Sequence, residues 1–159
     1  RPKNISQSNS LSEEAWLHAI NIIEQNNDFD LVITPQVTSP VRDNNELDKA
    51  IKFFIKKKYD SIFSGEKIKD YFVWEKKLNK IKPINYLLEE RLPRQKINTK
   101  YHENGSFYIF NKNKFKNKKI RLFGNIGVYE MSNYKSFQID DYEDLYLVEN
   151  LMNKFILKK

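Results

Sequence analysis

Two guanidinium side chains three residues apart, Arg91 and Arg94, followed by the amide of Gln95, are groups of a kind that can hold a polar ligand. A guanidinium presents a rigid fork of donors that matches a carboxylate, whereas an amide both donates and accepts and so suits hydroxyls. Asn104 and Gln36 add two more amides. Gln36 follows an apolar run, and a loop beyond a strand end is where open α/β sheets bind ligands. Each feature also has a plainer reading. Arg91 and Arg94 also read as a solvated pair, and Asn104-Gly105 is a common turn dipeptide. Asp140 offers a carboxylate of the kind magnesium takes alongside substrate phosphates. With Asp141 it also suits the N-cap and first-turn acid of a helix. Ser10 and Glu13 have the spacing of a capping box, and Ser12 is a second candidate cap. His18 sits among apolar neighbours and His102 stands alone, so neither a Ser-His-Asp order nor a His/Cys metal spacing is present.

The elements that must position these groups belong to one domain. The chain has 159 residues, 40% of them apolar and 14% aromatic, which excludes a disordered composition and allows a real core. It has no cysteine, which excludes disulfides and thiolate metal sites and fits a cytoplasmic protein. No apolar run approaches the roughly 18 to 20 residues of a membrane span, and no signal peptide opens the chain. The net charge of +7 is spread along the sequence except for a cluster from Lys112 to Arg121. Asparagines separate its lysines, and Lys, Asn, Ile, Phe and Tyr, the residues of AT-rich codons, are abundant throughout. The cluster therefore reads as a solvated surface rather than a nucleic-acid site.

Helical spacing of Ala15, Trp16, Ala19, Ile20 and Ile23 predicts a helix from Ser12 to Gln25. Phe29 to Thr34 reads as a buried strand, and Pro35 and Pro40 bracket the loop that holds Gln36. A second helix, near 45–57, carries Leu47, Ala50, Ile51, Phe54 and Ile55 on one face, and Tyr59 to Ser64 is the next strand. Strand, helix and strand in this order predict a right-handed parallel crossover in an α/β sheet. Residues 66–104 change character: charged, aromatic and weakly periodic, they read as an inserted arm with a short strand at Tyr71 to Trp74. Strands are expected at Gly105 to Phe110 and Ile126 to Met131. A last helix, 141–156, turns Leu145, Val148, Met152 and Phe155 inward.

Four segments together resemble the acylneuraminate cytidylyltransferases, the CMP-sialic acid synthetases. They are Arg1-Pro2 with Ser10 and Ser12; Gln36-Val37-Thr38-Ser39-Pro40-Val41-Arg42; Arg91-Leu92-Pro93-Arg94-Gln95 with Glu103-Asn104-Gly105-Ser106-Phe107-Tyr108; and Tyr129-Glu130-Met131 with Ser136-Phe137-Gln138-Ile139-Asp140. They stand in the family's order and span nearly the whole chain, which is similar to roughly the C-terminal two-thirds of such an enzyme.

The resemblance implies a nucleotide-diphospho-sugar transferase-like, three-layer mixed sheet with a protruding dimerisation arm. It implies transfer of CMP from CTP to the anomeric hydroxyl of a nonulosonic, sialic-acid-like sugar acid, with release of pyrophosphate, for surface glycans. It also implies magnesium as cofactor and a homodimer in which the arm of one subunit helps to cover the sugar site of the other. The sugar-site residues so implied are Gln36, Arg91, Arg94, Gln95 and Asn104. The cytosine-site residues are Arg1, Ser10 and Ser12. Asp140 would hold the metal, and Arg94 and Asp140 would carry catalysis. Family members often have a second aspartate where this chain has Gln138. They also have a glycine- and basic-rich phosphate loop between a first strand and a helix. None of the four glycines, Gly65, Gly105, Gly124 and Gly127, stands in such a place. The N-terminal strands and phosphate loop are therefore expected to be absent from this sequence, which by itself is expected to be inactive. A synthetase for an eight-carbon acid and a non-catalytic dimeric remnant are the alternatives.

Overall fold

A computed structural model describes residues 2–68, 72–90 and 92–157. Arg1 and Arg91 lie outside the described residues, as does Tyr71 of the expected short strand. The chain divides into two compact units, residues 1–66 with 103–159, and residues 67–102.

The larger unit is mixed α/β. Helix α1 (Ser12–Ile23) precedes strand β1 (Leu31–Pro35), and helix α2 (Glu46–Lys57) precedes strand β2 (Ser61–Ile68). In the smaller unit lie strands β3 (Trp74–Lys77) and β4 (Lys80–Pro83). Strand β5 (Lys100–Asn111) leads into helix α3 (Lys112–Lys118), strand β6 (Ile126–Glu130) and helix α4 (Tyr142–Leu151). The main sheet has the order β1-β5-β2-β6. Strands β1 and β5 run antiparallel, with Val32 opposite Phe110, and β2 and β6 run parallel, with Ser61 opposite Ile126. The crossover expectation is corrected in one respect: β5 is inserted between β1 and β2, so the strands flanking α2 are not neighbours.

The insertion follows from hydrophobicity. Residues 106–110 of β5 are all buried, which suits a central strand covered on both faces. Phe107 and Ile109 pack with Ala50 and Phe54 of α2, Ile62 and Met131. Tyr108 and Phe110 point the other way, into a cluster with Ile20 of α1, Phe115 of α3 and Phe123. Phe110 and Phe115 stack at 4.5 Å. Burying such rings is worth roughly 1.5 to 3 kcal/mol each.

Local expectations fare unevenly. Helix α2 buries Ala50 and Phe54 but exposes Ile55, and Phe53 packs inward in its place. Neither serine caps α1: Leu11 holds the N-cap position without a side-chain bond, and the Ser10 hydroxyl accepts from the Gln7 N–H. At the last helix Asp141 is the cap, in a reciprocal capping box with Asp144. Beyond Leu151 the helix continues as a π-turn, Met152–Leu157, with Val148 buried but Leu145 and Phe155 exposed. The lysine cluster is the main surprise. It forms helix α3, started by Asn111, whose side chain accepts from the Lys114 N–H, and anchored by Phe115. Its positive charge is largely paired: Lys114 with Asp60, Lys116 with Glu24, and Lys112 with Glu24 and Asp28.

The smaller unit is an antiparallel hairpin. Trp74 lies opposite Pro83, and Leu78 and Asn79 turn the chain with positive φ angles, as a two-residue hairpin turn requires. The expected strand is thus shifted toward the turn. Tyr86 meets the rings of Phe72 at 4.7 Å and Trp74 at 5.9 Å.

Candidate functional site

In the larger unit, a cavity of about 270 Å³ is lined by the polar side chains of Ser12, Gln36, Glu103, Tyr108, Arg121 and Gln138. Trp16 and Gly105 complete the wall. Each part has a structural cause. Ser12 and Trp16 are four residues apart on α1 and so share a face. Gln36 directly follows β1, and its N–H donates to the Ser106 carbonyl at 2.9 Å. The loop that follows is gathered by Arg42, which donates to the carbonyls of Ser39, Gln36 and Ser106 and to the Ser106 hydroxyl. Burial lowers the Arg42 pKa from its ordinary value. The Ile139 N–H then donates to the Thr38 carbonyl at 2.8 Å, tying the chain after β6 to this loop.

Gly105 is the hinge of the wall. It adopts φ +66°, and a Cβ there would stand 2.9 Å from the Gln138 amide nitrogen. Only glycine meets both demands cheaply. Within a regular strand, residues 103 and 108 would point to opposite faces. The left-handed residue between them resets the alternation, and the Tyr108 hydroxyl donates to the Glu103 carboxylate.

A chain of polar contacts continues from that hydroxyl. Arg121 donates to it at 3.3 Å through Nη1. Its Nε and Nη2 grip Glu13 of α1 at 2.6 and 3.1 Å, a bidentate pair. The guanidinium lies 5.4 Å from the Trp16 ring centre and 5.0 Å from that of Tyr108. The bond to Glu13 holds Arg121 above its usual pKa, and the same bond holds Glu13 below the usual carboxylate value. Burial, then the bond to Glu103, raises the Tyr108 phenol.

The residues singled out in the sequence are distributed as follows. Gln36 and Ser12 line the cavity. Asn104 is fully buried beneath it, and its side chain is already employed. Its Oδ1 accepts from the Ser64 hydroxyl at 2.7 Å and the Ser106 N–H at 3.1 Å, while its Nδ2 donates to Ser136 at 3.2 Å. Its carbonyl accepts from Gln138 Nε2 at 3.0 Å. Asn104 thus builds the wall from behind. Ser10 lies in the turn before α1, outside the lining. Gln95 is exposed in a short turn, Arg94–Lys96, of the smaller unit, and the Arg94 side chain lies outside what the structure describes.

Asp140 is exposed, and its N–H donates to the Asp144 carboxylate at 3.0 Å. Asp141 and Asp144 are occupied with each other's backbone at the start of α4. Among the described residues, no group of three His, Cys, Asp or Glu side chains could hold a metal ion. With Gln138 neutral and bonded to Asn104, the donor set does not fit a two-carboxylate magnesium site.

Sequence reasoning gave no site role to Glu13, Trp16, Glu103, Tyr108 or Arg121. The one available signal lay at Gly105, whose place inside an apolar strand run marks a break in alternation. The Glu13–Arg121 pair, 108 positions apart, leaves no local trace. No protein-family model matches the chain.

Proposed function

We propose that the chain is the sugar-binding part of a cytidylyltransferase that joins CMP to a nonulosonic, sialic-acid-like sugar acid. One observation carries this reading: separate segments of the resemblance converge on one cavity. Ser12 comes from the first, Gln36 from the second, Glu103, Gly105 and Tyr108 from the third, and Gln138 from the fourth. The lining mixes amide, hydroxyl and carboxylate groups with an indole face, which suits a polyhydroxylated ligand with an apolar side.

In the proposed reaction the anomeric oxygen of the acid forms a bond to the α-phosphorus of CTP. The bond from that phosphorus to the bridging oxygen breaks, pyrophosphate leaves, and the hydroxyl proton is released. Gln36 would hold sugar hydroxyls, Ser12 would contact the cytosine, and Arg94 would pair with the sugar carboxylate. Magnesium, which the resemblance implies, would have Asp140 alone as its protein ligand. Homodimerisation would use residues 67–102, where Trp74, Leu78, Ile81, Leu87 and Leu88 are exposed. Gln138, bonded to Asn104 in place of a metal-binding aspartate, favours a second reading, a sugar-binding remnant without turnover.

Isothermal titration with N-acetylneuraminic acid, and separately with CTP, tests the proposal. Saturable binding of the acid that Gln36→Ala weakens supports it, and absence of acid binding rejects it. Release of pyrophosphate from CTP in the presence of the acid separates the enzyme from the remnant.

A further inference from the structure

Resting on that reading, we infer that Glu103 reads a pair of adjacent hydroxyls on the ligand, and that Tyr108, Arg121 and Glu13 are positioning residues that aim its carboxylate. A carboxylate is purely an acceptor, with room for about four donors. Glu103 Oε1 takes the Tyr108 hydroxyl, and Oε2 takes no hydrogen bond among the described residues, so the group stands in the cavity wall with acceptor capacity to spare. Neighbouring hydroxyls on a carbon chain present two donors at a spacing that the two carboxylate oxygens match.

The charge of the cavity selects this part of the ligand. Arg121 is its only cation among the described lining residues, and Glu13 already neutralises it through a bidentate pair. Glu103 then leaves the wall with an excess negative charge, which repels a carboxylate and welcomes hydroxyl donors. The acid group of the sugar must therefore lie outside this cavity, and its neutral polyol portion inside. Trp16 and Tyr108, with ring centres 5.9 Å apart, give that portion an apolar wall.

The positioning chain explains why a surface glutamate has a defined direction. Tyr108 is rooted in the core of β5, and Arg121 clamps its hydroxyl to α1 through Glu13. Without the clamp, Glu103 is a long side chain free to sample several rotamers, and ordering it costs binding energy.

Calorimetric titration of the full 159-residue chain tests the inference with two probes. One is N-acetylneuraminic acid. The other is the same acid with its exocyclic triol cut to a single hydroxymethyl group by periodate and borohydride. The wild type is expected to bind the intact acid roughly tenfold more tightly. Glu103→Gln should bring that ratio close to one and leave affinity for the truncated acid unchanged, with an unaltered melting temperature. Glu103→Asp should recover part of the ratio. Arg121→Lys, which keeps the charge and loses the fork, should lower the ratio by a smaller factor. Equal affinity of the wild type for both acids overturns the inference and spares the proposed function. So does a Glu103→Gln variant that weakens both acids alike. A wild type that binds neither acid overturns both.

Discussion

Among the described residues, the buried aromatic and aliphatic side chains all belong to the larger unit, although it exposes others such as Val37 and Tyr142. There, Phe107, Phe110 and Phe115 are wholly buried on the two faces of a central strand. In the smaller, Leu78 is 89% exposed, Ile81 65% and Trp74 47%. An isolated two-stranded hairpin is marginally stable in water, and a cluster of exposed apolar side chains calls for a partner surface. The contrast teaches that the larger unit carries the stability of the chain, whereas the hairpin's apolar side chains suit association.

Substitutions sharpen that contrast, beginning with the core. Phe110→Ala removes a ring shared by α1, α3 and β5, and should cost about 3 to 5 kcal/mol in denaturant unfolding monitored by circular dichroism. A loss below about 1 kcal/mol would show that the central strand is not where stability resides.

Next comes Lys135, buried between Asp43 and Glu46, with the Tyr129 hydroxyl on Glu46. Lys135→Met leaves the buried Glu46 carboxylate uncompensated, at a cost of about 3 kcal/mol, the lower end for a broken buried pair. A pH signature accompanies it. The bond from Lys135 holds Asp43 below the usual carboxylate value. A depressed carboxylate contributes stability that is present above its unfolded pKa of about 4 and is lost as pH falls through the folded value. Melting temperature should therefore drop in acid below about pH 4, and Lys135→Met should flatten that slope. Burial pushes the Lys135 pKa down, but its bonds to Asp43 and Glu46 outweigh this and raise it, so on the alkaline side the interaction is lost only in strong alkali.

Gly105→Ala follows. A left-handed backbone costs a side-chain-bearing residue roughly 1 to 2 kcal/mol, and the new methyl must displace the Gln138 amide. Thermal melts should show that loss, and acid binding should fall because Gln138 lines the cavity. Smallest in stability is the pair Leu78→Asp with Ile81→Asp. On exposed sites it should stay within about 0.5 kcal/mol, yet light scattering should show the proposed dimer converted to monomer. An unchanged dimer would remove the hairpin from the interface.

Much of the larger unit was legible in the sequence because burial writes periodicity. The spacing of Ala50 and Phe54 and the apolar residues from Phe107 to Phe110 announced α2 and a strand, but not that strand's central place between β1 and β2. Helix α3 was not legible, since seven residues of lysine, asparagine and one phenylalanine carry no moment, and its stability comes from Asn111, Phe115 and partners far away in sequence. In the site, Gln36 and Ser12 were legible as polar residues at element ends. Asn104 was legible as a residue of consequence but not as a buried one, because residue type does not tell whether an amide faces a ligand or its own wall. Glu103, Tyr108 and Arg121 were hidden by the left-handed turn at Gly105, which reverses the strand's parity, and by a contact between distant segments.

The cavity beside Trp16 is the proposed place of sugar-acid binding. The chain has two tryptophans, Trp16 and Trp74, so the indole N–H signals of nitrogen-15-labelled protein are readily assigned with Trp74→Phe. Titration with N-acetylneuraminic acid should move the Trp16 indole resonance along a saturable curve whose dissociation constant agrees with calorimetry. A Trp16 signal that stays in place at acid concentrations saturating the protein would contradict the account.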